Sequence, residues 1–251
     1  MPMKEGYHAQ SYLFAPGSTK AVIFIHGFMG SPRQFDRLAG AVHKRGFNAV
    51  ILLLPGHGRS SRDFSLSTAE IWQKYVQDEI ERLSAKFTDI WLVGHSMGGL
   101  LALGAAAKPH KALRGVMTIA SPFKLTALSR KDIKIRLITV LASDENKIKS
   151  EYMGKNSVPV TSKIFLHTLG PMVQVSLLMR STRAKLPSIT LPVVSAYSKG
   201  DELVSFRSLE IIRSEISAIP FEEVVLERSL HAFYTEKEKV ILEEALIEFL
   251  G

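Results

Sequence analysis

The sequence predicts an α/β protein, with a mainly parallel central sheet, helices on both faces and one long insertion. Three observations predict it. Short apolar runs alternate with segments of helical period in the order β-α-β-α-β-α-β, then, past the insertion, β-α-β-α. Some of these runs are apolar throughout, as expected of strands buried on both faces. The 251 residues are 46% hydrophobic, enough for the core of one large domain and too patterned for disorder.

The elements follow in order. Residues 10–14 read as an antiparallel edge strand, set off by the turn Pro16-Gly17-Ser18. Ala21–Ile25 is the first central strand and ends in His26-Gly27. Ser31-Pro32 opens a helix with serine as cap and proline in the first turn; Phe35, Leu38, Ala39 and Val42 form its apolar face, and Gly46 ends it. Ala49–Leu54 is a continuous apolar run, read as a buried strand. Ser67-Thr68-Ala69-Glu70 has the spacing of a capping box, before a helix expected to bury Ile71, Tyr75, Val76, Ile80 and Leu83. Asp89–Val93 and Gly115–Ala120 are strands on either side of a helix at Met97–Lys108. Later, Val193–Tyr197 and Val224–Leu226 read as strands, Phe206–Ile216 and Glu236–Phe249 as helices.

Residues 121–187 break the alternation. Within them Asp132–Ile138 alternates like a strand and Pro171–Lys185 looks helical. The stretch is too long for an ordinary connection. The expected organisation is a core of residues 1–120 and 188–251 with residues 121–187 as a cap. The net charge of +8 sits in this part of the chain: Lys124 to Lys185 holds twelve basic and four acidic residues, and the remainder is balanced.

Composition narrows the classes further. There is no cysteine, which excludes disulfides and thiolate metal sites. MPMKEGYHAQ has no apolar signal region, and no uncharged apolar run has membrane-spanning length. A soluble, cytoplasmic protein is the expectation. No nucleic-acid module is recognisable, and nothing in the sequence bears on oligomeric state.

In parallel sheets ligands bind beyond the carboxyl ends of the strands, and the candidate functional residues fall there. Gly94-His95-Ser96-Met97-Gly98-Gly99 contains G-x-S-x-G between a strand and a helix, the context a nucleophile elbow requires. Side chains two positions either side of Ser96 would collide with strand and helix, hence glycine. The turn lifts the hydroxyl out of the sheet to a helix N-terminus, where developing negative charge is favoured. An oxyanion needs about two preorganised donors. The N–H of Met97, after the nucleophile, is one; the N–H of Phe28, in His26-Gly27-Phe28, is the other, and the Phe28 ring would wall the acyl pocket.

The acid follows the serine and precedes the histidine in chains with this elbow. Gly200-Asp201 lies beyond the strand Val193–Tyr197, with Glu202 as the adjacent competitor. His231, between the last strand and the last helix, is the only histidine after position 167. His26, His57 and His95 precede the acid and are expected to support loops, whereas His167 could line a pocket. The expected roles are Ser96 nucleophile, His231 base and Asp201 its orienting acid, with no metal or cofactor.

HGF after the first strand, GHSMGG at the elbow, GDELV and the late SLHAF together resemble small bacterial carboxylesterases and the related monoacylglycerol lipases, over nearly the whole chain. The resemblance implies an α/β-hydrolase fold with a small cap, carboxylic ester hydrolysis, and the same five positions. It marks Pro55-Gly56-His57-Gly58 as a structural loop. The basic cap departs from the family pattern and leaves substrate size open.

The leading expectation is hydrolysis of short- to medium-chain acyl esters. Monoacylglycerol lipase and thioesterase activities use the same triad. Phe165, Leu166, Leu169, Met172, Leu177 and Leu178 could line an acyl tunnel, though ordinary packing against the core is the favoured reading. Epoxide and haloalkane hydrolysis are disfavoured, since those elbows carry aspartate at the position of Ser96. A non-catalytic receptor on the same fold is the alternative of another class. Weak contact of the basic cap with anionic lipid is a further expectation, weighed against a merely solvated charged surface.

Overall fold

The computed structural model describes residues 9–126, 164–216 and 220–251. The described residues include the strands β1 (Ser11–Leu13), β2 (Lys20–Ile25), β3 (Asn48–Ile51), β4 (Asp89–His95), β5 (Leu113–Ile119), β6 (Val193–Ser198) and β7 (Phe221–Leu226). They form one sheet in the order β1-β3-β2-β4-β5-β6-β7. β1 is antiparallel to β3, and every other pairing is parallel. The chain therefore starts at one edge with β1, crosses to β2, steps back to β3 between the two, and then winds from β4 to β7 at the other edge. This is the mainly parallel sheet expected from the alternation of elements.

Among the described residues the helices are α1 (Asp36–Lys44), α2 (Ser61–Ser65), α3 (Ala69–Ser84), α4 (Met97–Ala106), α5 (Ile164–Arg183), α6 (Arg207–Glu215) and α7 (Glu236–Leu250), with 3-10 turns at Pro32–Phe35 and Leu186–Ser188. Strand alternation sorts the core into two layers. Ala21, Ile23 and Ile25 of β2 face one cluster with Trp72, Val76, Ile80 and Leu83 of α3, Leu100 of α4 and Ile212 of α6. Val22 and Phe24 face the other, with Leu38 and Val42 of α1 and Leu242, Leu246 and Leu250 of α7. Burying both faces explains why the central strands lack polar alternation.

Several local expectations are corrected. The α3 cap is Thr68, whose hydroxyl accepts the Ile71 N–H; Ser67 is instead buried and donates to the Pro55 carbonyl at 3.2 Å. Ile71, expected in the core, is exposed; Trp72 is buried instead, and its indole N–H donates to the same carbonyl at 3.0 Å. Pairing in β3 stops at Ile51, although Leu52 and Leu54 remain buried. Ser31 precedes a 3-10 turn that begins at Pro32, its side chain makes no cap bond, and the expected helix starts only at Asp36.

In the insertion, α5 begins at Ile164 and runs through Pro171, where the sequence had suggested a start. Its buried side is Thr168, Pro171, Leu178 and Thr182, with Val175 partly buried, a stripe at helical spacing. Thr182 donates to the Leu100 carbonyl of α4 at 3.2 Å. Leu166, Leu169, Met172 and Leu177 are exposed, contrary to the packing reading; Leu178 is buried as that reading expects. The Phe165 side chain and the strand expected at Asp132–Ile138 lie outside the described residues. No helix among the described residues is long and apolar enough to cross a membrane.

Candidate active site

β4 ends at His95, and α4 starts at Met97. Ser96 occupies the single residue between, at φ 53° and ψ −120°. A non-glycine residue at positive φ stores strain and persists only where its surroundings over-determine it. The surroundings here are close backbones. A Cβ at Gly94 would run into Gly98, and a Cβ at Gly98 would run into the Ile25 carbonyl of β2. The two motif glycines thus let the α4 N-terminus sit directly on the strand ends, and Ser96 is buried where they meet.

Asp201 lies in the turn after β6. One carboxylate oxygen accepts the Leu203 and Val204 N–H groups, each at 2.8 Å. The other lies 2.9 Å from His231 Nδ1. Burial pushes the Asp201 pKa up, but the His231 contact and the two N–H donors outweigh it and hold the carboxyl below its ordinary value. His231 Nε2 in turn lies 2.9 Å from Ser96 Oγ. Three side chains from distant parts of the sequence therefore form one hydrogen-bonded line across the carboxyl ends of β4, β6 and β7.

The backbone of His231 is gripped on both sides. Its N–H donates to the Glu202 carboxylate at 2.8 Å, so the two adjacent acids divide the work: Asp201 meets the ring and Glu202 the main chain. Its carbonyl accepts from His95 Nε2 at 2.8 Å and from the Tyr234 hydroxyl at 3.2 Å.

Across from the histidine, the loop after β2 carries Phe28. Its start is held by Gln34, which accepts the Gly27 N–H at 3.0 Å. The Phe28 ring packs edge-on against Phe64 of α2, with centroids 5.0 Å apart. His167 of α5 shares a 2.8 Å hydrogen bond with Ser61 of the same short helix. His26 and His57 support loops as expected. His26 Nε2 accepts the Leu54 N–H at 3.1 Å, which leaves Nδ1 to donate to the Gly27 carbonyl at 2.9 Å. Burial lowers the His26 pKa to about 4. Among the described residues no group of three or more potential metal ligands is gathered.

A cleft of about 300 Å³ lies behind this constellation, bounded by Phe35, His95, Ile119, Ala232, Tyr234 and Leu242. It reaches the back of the His231 loop; Ser96 is not on its wall.

A family model for the alpha/beta hydrolase family matches residues 22–205, from the first central strand to just past Asp201. The chain belongs to the alpha/beta hydrolase family. Among its curated relatives in that family is a thermostable monoacylglycerol lipase of Bacillus sp. (strain H-257), 26% identical over 242 residues, covering 95% of this chain and 93% of the relative. A carboxylesterase of Bacillus subtilis (strain 168) is 23% identical over 236 residues, 93% of each chain. Among solved structures, a monoacylglycerol lipase of Paleococcus ferrophilus superposes with a TM-score of 0.74 at 17% identity, over 96% of this chain and 97% of that one. A structure from work on the metagenome-derived lipolytic enzymes LipS and LipT gives 0.75 at 24% identity, over 98% of both. At those identities the solved structures establish the hydrolase fold alone.

Sequence reasoning did not find Gln34, Ser198, Tyr234 or Glu238, all of which bond to the loops that carry this constellation. Gln34 and Tyr234 carry no motif. Glu238 follows Thr235 at the spacing of a helix cap, which conceals its contacts to the loop before His231.

Proposed function

We propose that this protein is a serine carboxylic-ester hydrolase acting on short- to medium-chain acyl esters. The observation that carries the proposal is the continuous line from Asp201 through His231 to Ser96, with both contacts at 2.9 Å. With Asp201 accepting from Nδ1–H, Nε2 is the free base and faces the hydroxyl. His231 Nε2 takes the Ser96 proton as Oγ attacks the ester carbonyl. The N–H groups of Phe28 and Met97 receive the oxyanion, the second at the start of α4, where the helix dipole favours negative charge. The tetrahedral intermediate collapses, and the alcohol leaves with the proton from His231. A water deprotonated by the same nitrogen then attacks the acyl-enzyme, and Ser96 recovers its proton as the acid departs. No step calls for a metal or cofactor.

We assign residues 121–187 to a cap; α5, its described helix, packs on α2, α3 and α4. Phe28 and His167 are assigned to the substrate-facing wall, since each is tied to α2, one through Phe64 and the other through Ser61. The curated relatives support an ester-directed reading and keep monoacylglycerol among the substrates to test, with thioesters as the remaining alternative.

The test is fluorophosphonate labelling, followed by rates over a ladder of nitrophenyl esters with a monoacylglycerol and a thioester alongside. Wild type should label and turn over short to medium esters; Ser96→Ala should lose labelling and at least about a thousandfold in kcat/KM. An unlabelled, inactive wild type would point instead to a receptor on this fold.

A second reading concerns surfaces. The apolar side chains that α5 exposes, Leu166, Leu169, Met172, Val173 and Leu177, belong to the segment that holds the positive charge. That combination favours contact with anionic lipid. Sedimentation with anionic vesicles should fall as salt rises; equal binding to neutral vesicles would reject it.

A further inference from the structure

Glu238 is a buried carboxylate that the proposed chemistry does not use. It is the third residue of α7, whose N-cap is Thr235. The Thr235 hydroxyl accepts the Glu238 N–H at 3.3 Å, one half of a capping box. In the other half the glutamate would accept the N–H of the cap residue. Here that N–H goes to Ser229 Oγ at 3.3 Å, and the Glu238 carboxylate is turned onto the segment before His231.

Oε1 accepts the Glu227 N–H at 2.7 Å and the Arg228 N–H at 3.0 Å. Oε2 accepts from the Ser229 hydroxyl and, at 3.3 Å, from the Thr235 hydroxyl. The connection continues past Ser229. Its carbonyl accepts from Ser198 Oγ at 2.6 Å, and Ser198 Oγ accepts the Gly200 N–H at 3.1 Å. Gly200 is the residue before Asp201. A Cβ there would stand 3.1 Å from the Arg228 and Ser229 carbonyls, so the acid turn and the histidine loop touch at this point. One carboxylate is thereby joined through two serines to the turns that carry Asp201 and His231.

A helix cap alone does not require this arrangement. An exposed cap bond serves a helix start, whereas a buried carboxylate must have its desolvation offset by good donors. Burial raises the Glu238 pKa, and the Ser229, Arg228, Glu227 and Thr235 bonds outweigh it, so the group stays ionised through the working pH range.

We infer that Glu238 is a positioning residue: its carboxylate, acting through Ser229 and Ser198, sets the spacing of Asp201 against His231. The inference rests on reading Ser96, Asp201 and His231 as a triad. Glu238→Gln keeps the shape but places an amide N–H where Ser229 and Thr235 now donate. Ser198→Ala cuts the same connection at its middle without touching α7.

The experiment measures kcat, KM, the acid limb of kcat/KM, the melting temperature and the low-field NMR resonance of the proton between His231 and Asp201. Each variant should lose roughly tenfold in kcat with KM within about twofold, since small misplacements of reacting groups cost at least that much. The acid limb should move to lower pH, because a loosened Asp201 stabilises the imidazolium less. The low-field resonance should shift or broaden. The double variant should lose little more than either single one, as expected for groups in one network. Variants that melt earlier yet keep kcat, the acid limb and the resonance of the wild type would reduce Glu238 to a helix cap and overturn the inference. Because the resonance is read without substrate, a failure of the ester-hydrolysis reading is distinguishable from a failure of this one.

Discussion

Asp201 and Glu202 are adjacent acids of the same chemistry, and their roles diverge because of what surrounds each oxygen. Asp201 has one oxygen committed to two backbone N–H donors, which leaves the other to face the His231 ring. In Asp201→Asn those N–H groups would hold the amide oxygen, and the NH₂ would face Nδ1. His231 would then carry its proton on Nε2 and could not accept one from Ser96. The expected loss in kcat/KM is on the order of 10³- to 10⁴-fold, with folding retained. Glu202→Gln keeps an oxygen for the His231 N–H and should stay within about tenfold. Equal losses in the two variants, measured on one ester across pH, would contradict this division of labour.

Among the elements, α5 is where hydropathy misleads. Its leucines at 177 and 178 are neighbours, yet Leu177 is 47% exposed and Leu178 fully buried. Leu178→Ala should cost about 2–5 kcal/mol, the range for a cavity opened in a core. Leu177→Ala should stay within about 0.5 kcal/mol. Urea unfolding of the pair reads the difference, and similar costs would mean that the buried side of the helix is wrongly drawn. The buried stripe escapes a sequence reading because two threonines and a proline form much of it. The sheet was legible because its central strands, buried on both faces, are mostly apolar, and buried polar positions such as Thr118 and Ser195 bond to each other. The elbow was legible because its backbones approach too closely for any side chain at Gly94 or Gly98. The cap of α3 was misplaced by one because Ser67 and Thr68 are chemically equivalent candidates; a buried carbonyl, that of Pro55, claims the first. The supports of the His231 loop were illegible because Glu238 has the spacing of an ordinary helix cap, Tyr234 carries no motif, and Ser198 reaches the loop from the neighbouring strand.

For the whole molecule, the buried histidines set a dependence of stability on pH. His26 and His57 are fully enclosed, with ring centroids 4.7 Å apart. Burial lowers the His26 pKa to about 4, and burial together with the neighbouring His26 holds His57 well below its ordinary value. In the unfolded chain both return to about 6.5. Between about 6.5 and the folded value the unfolded chain binds protons that the native state refuses, so stability falls as pH falls through that window. For His26 the whole effect amounts to about 3 kcal/mol. The depressed carboxylates act lower on the scale. Asp201 and Glu238 contribute stability that is complete above their unfolded values and is lost as pH drops through the folded ones. The net charge of +8 grows on acidification and adds repulsion in the same direction. Urea midpoints at fixed ionic strength should therefore decline from about pH 6.5 downward, well before carboxylates titrate. His26→Gln, less stable at neutral pH for want of the Leu54 and Gly27 bonds, should decline less steeply. A midpoint flat between pH 6.5 and 4.5 would mean that these rings take up protons in the folded state, and that the loops after β2 and β3 are open to water.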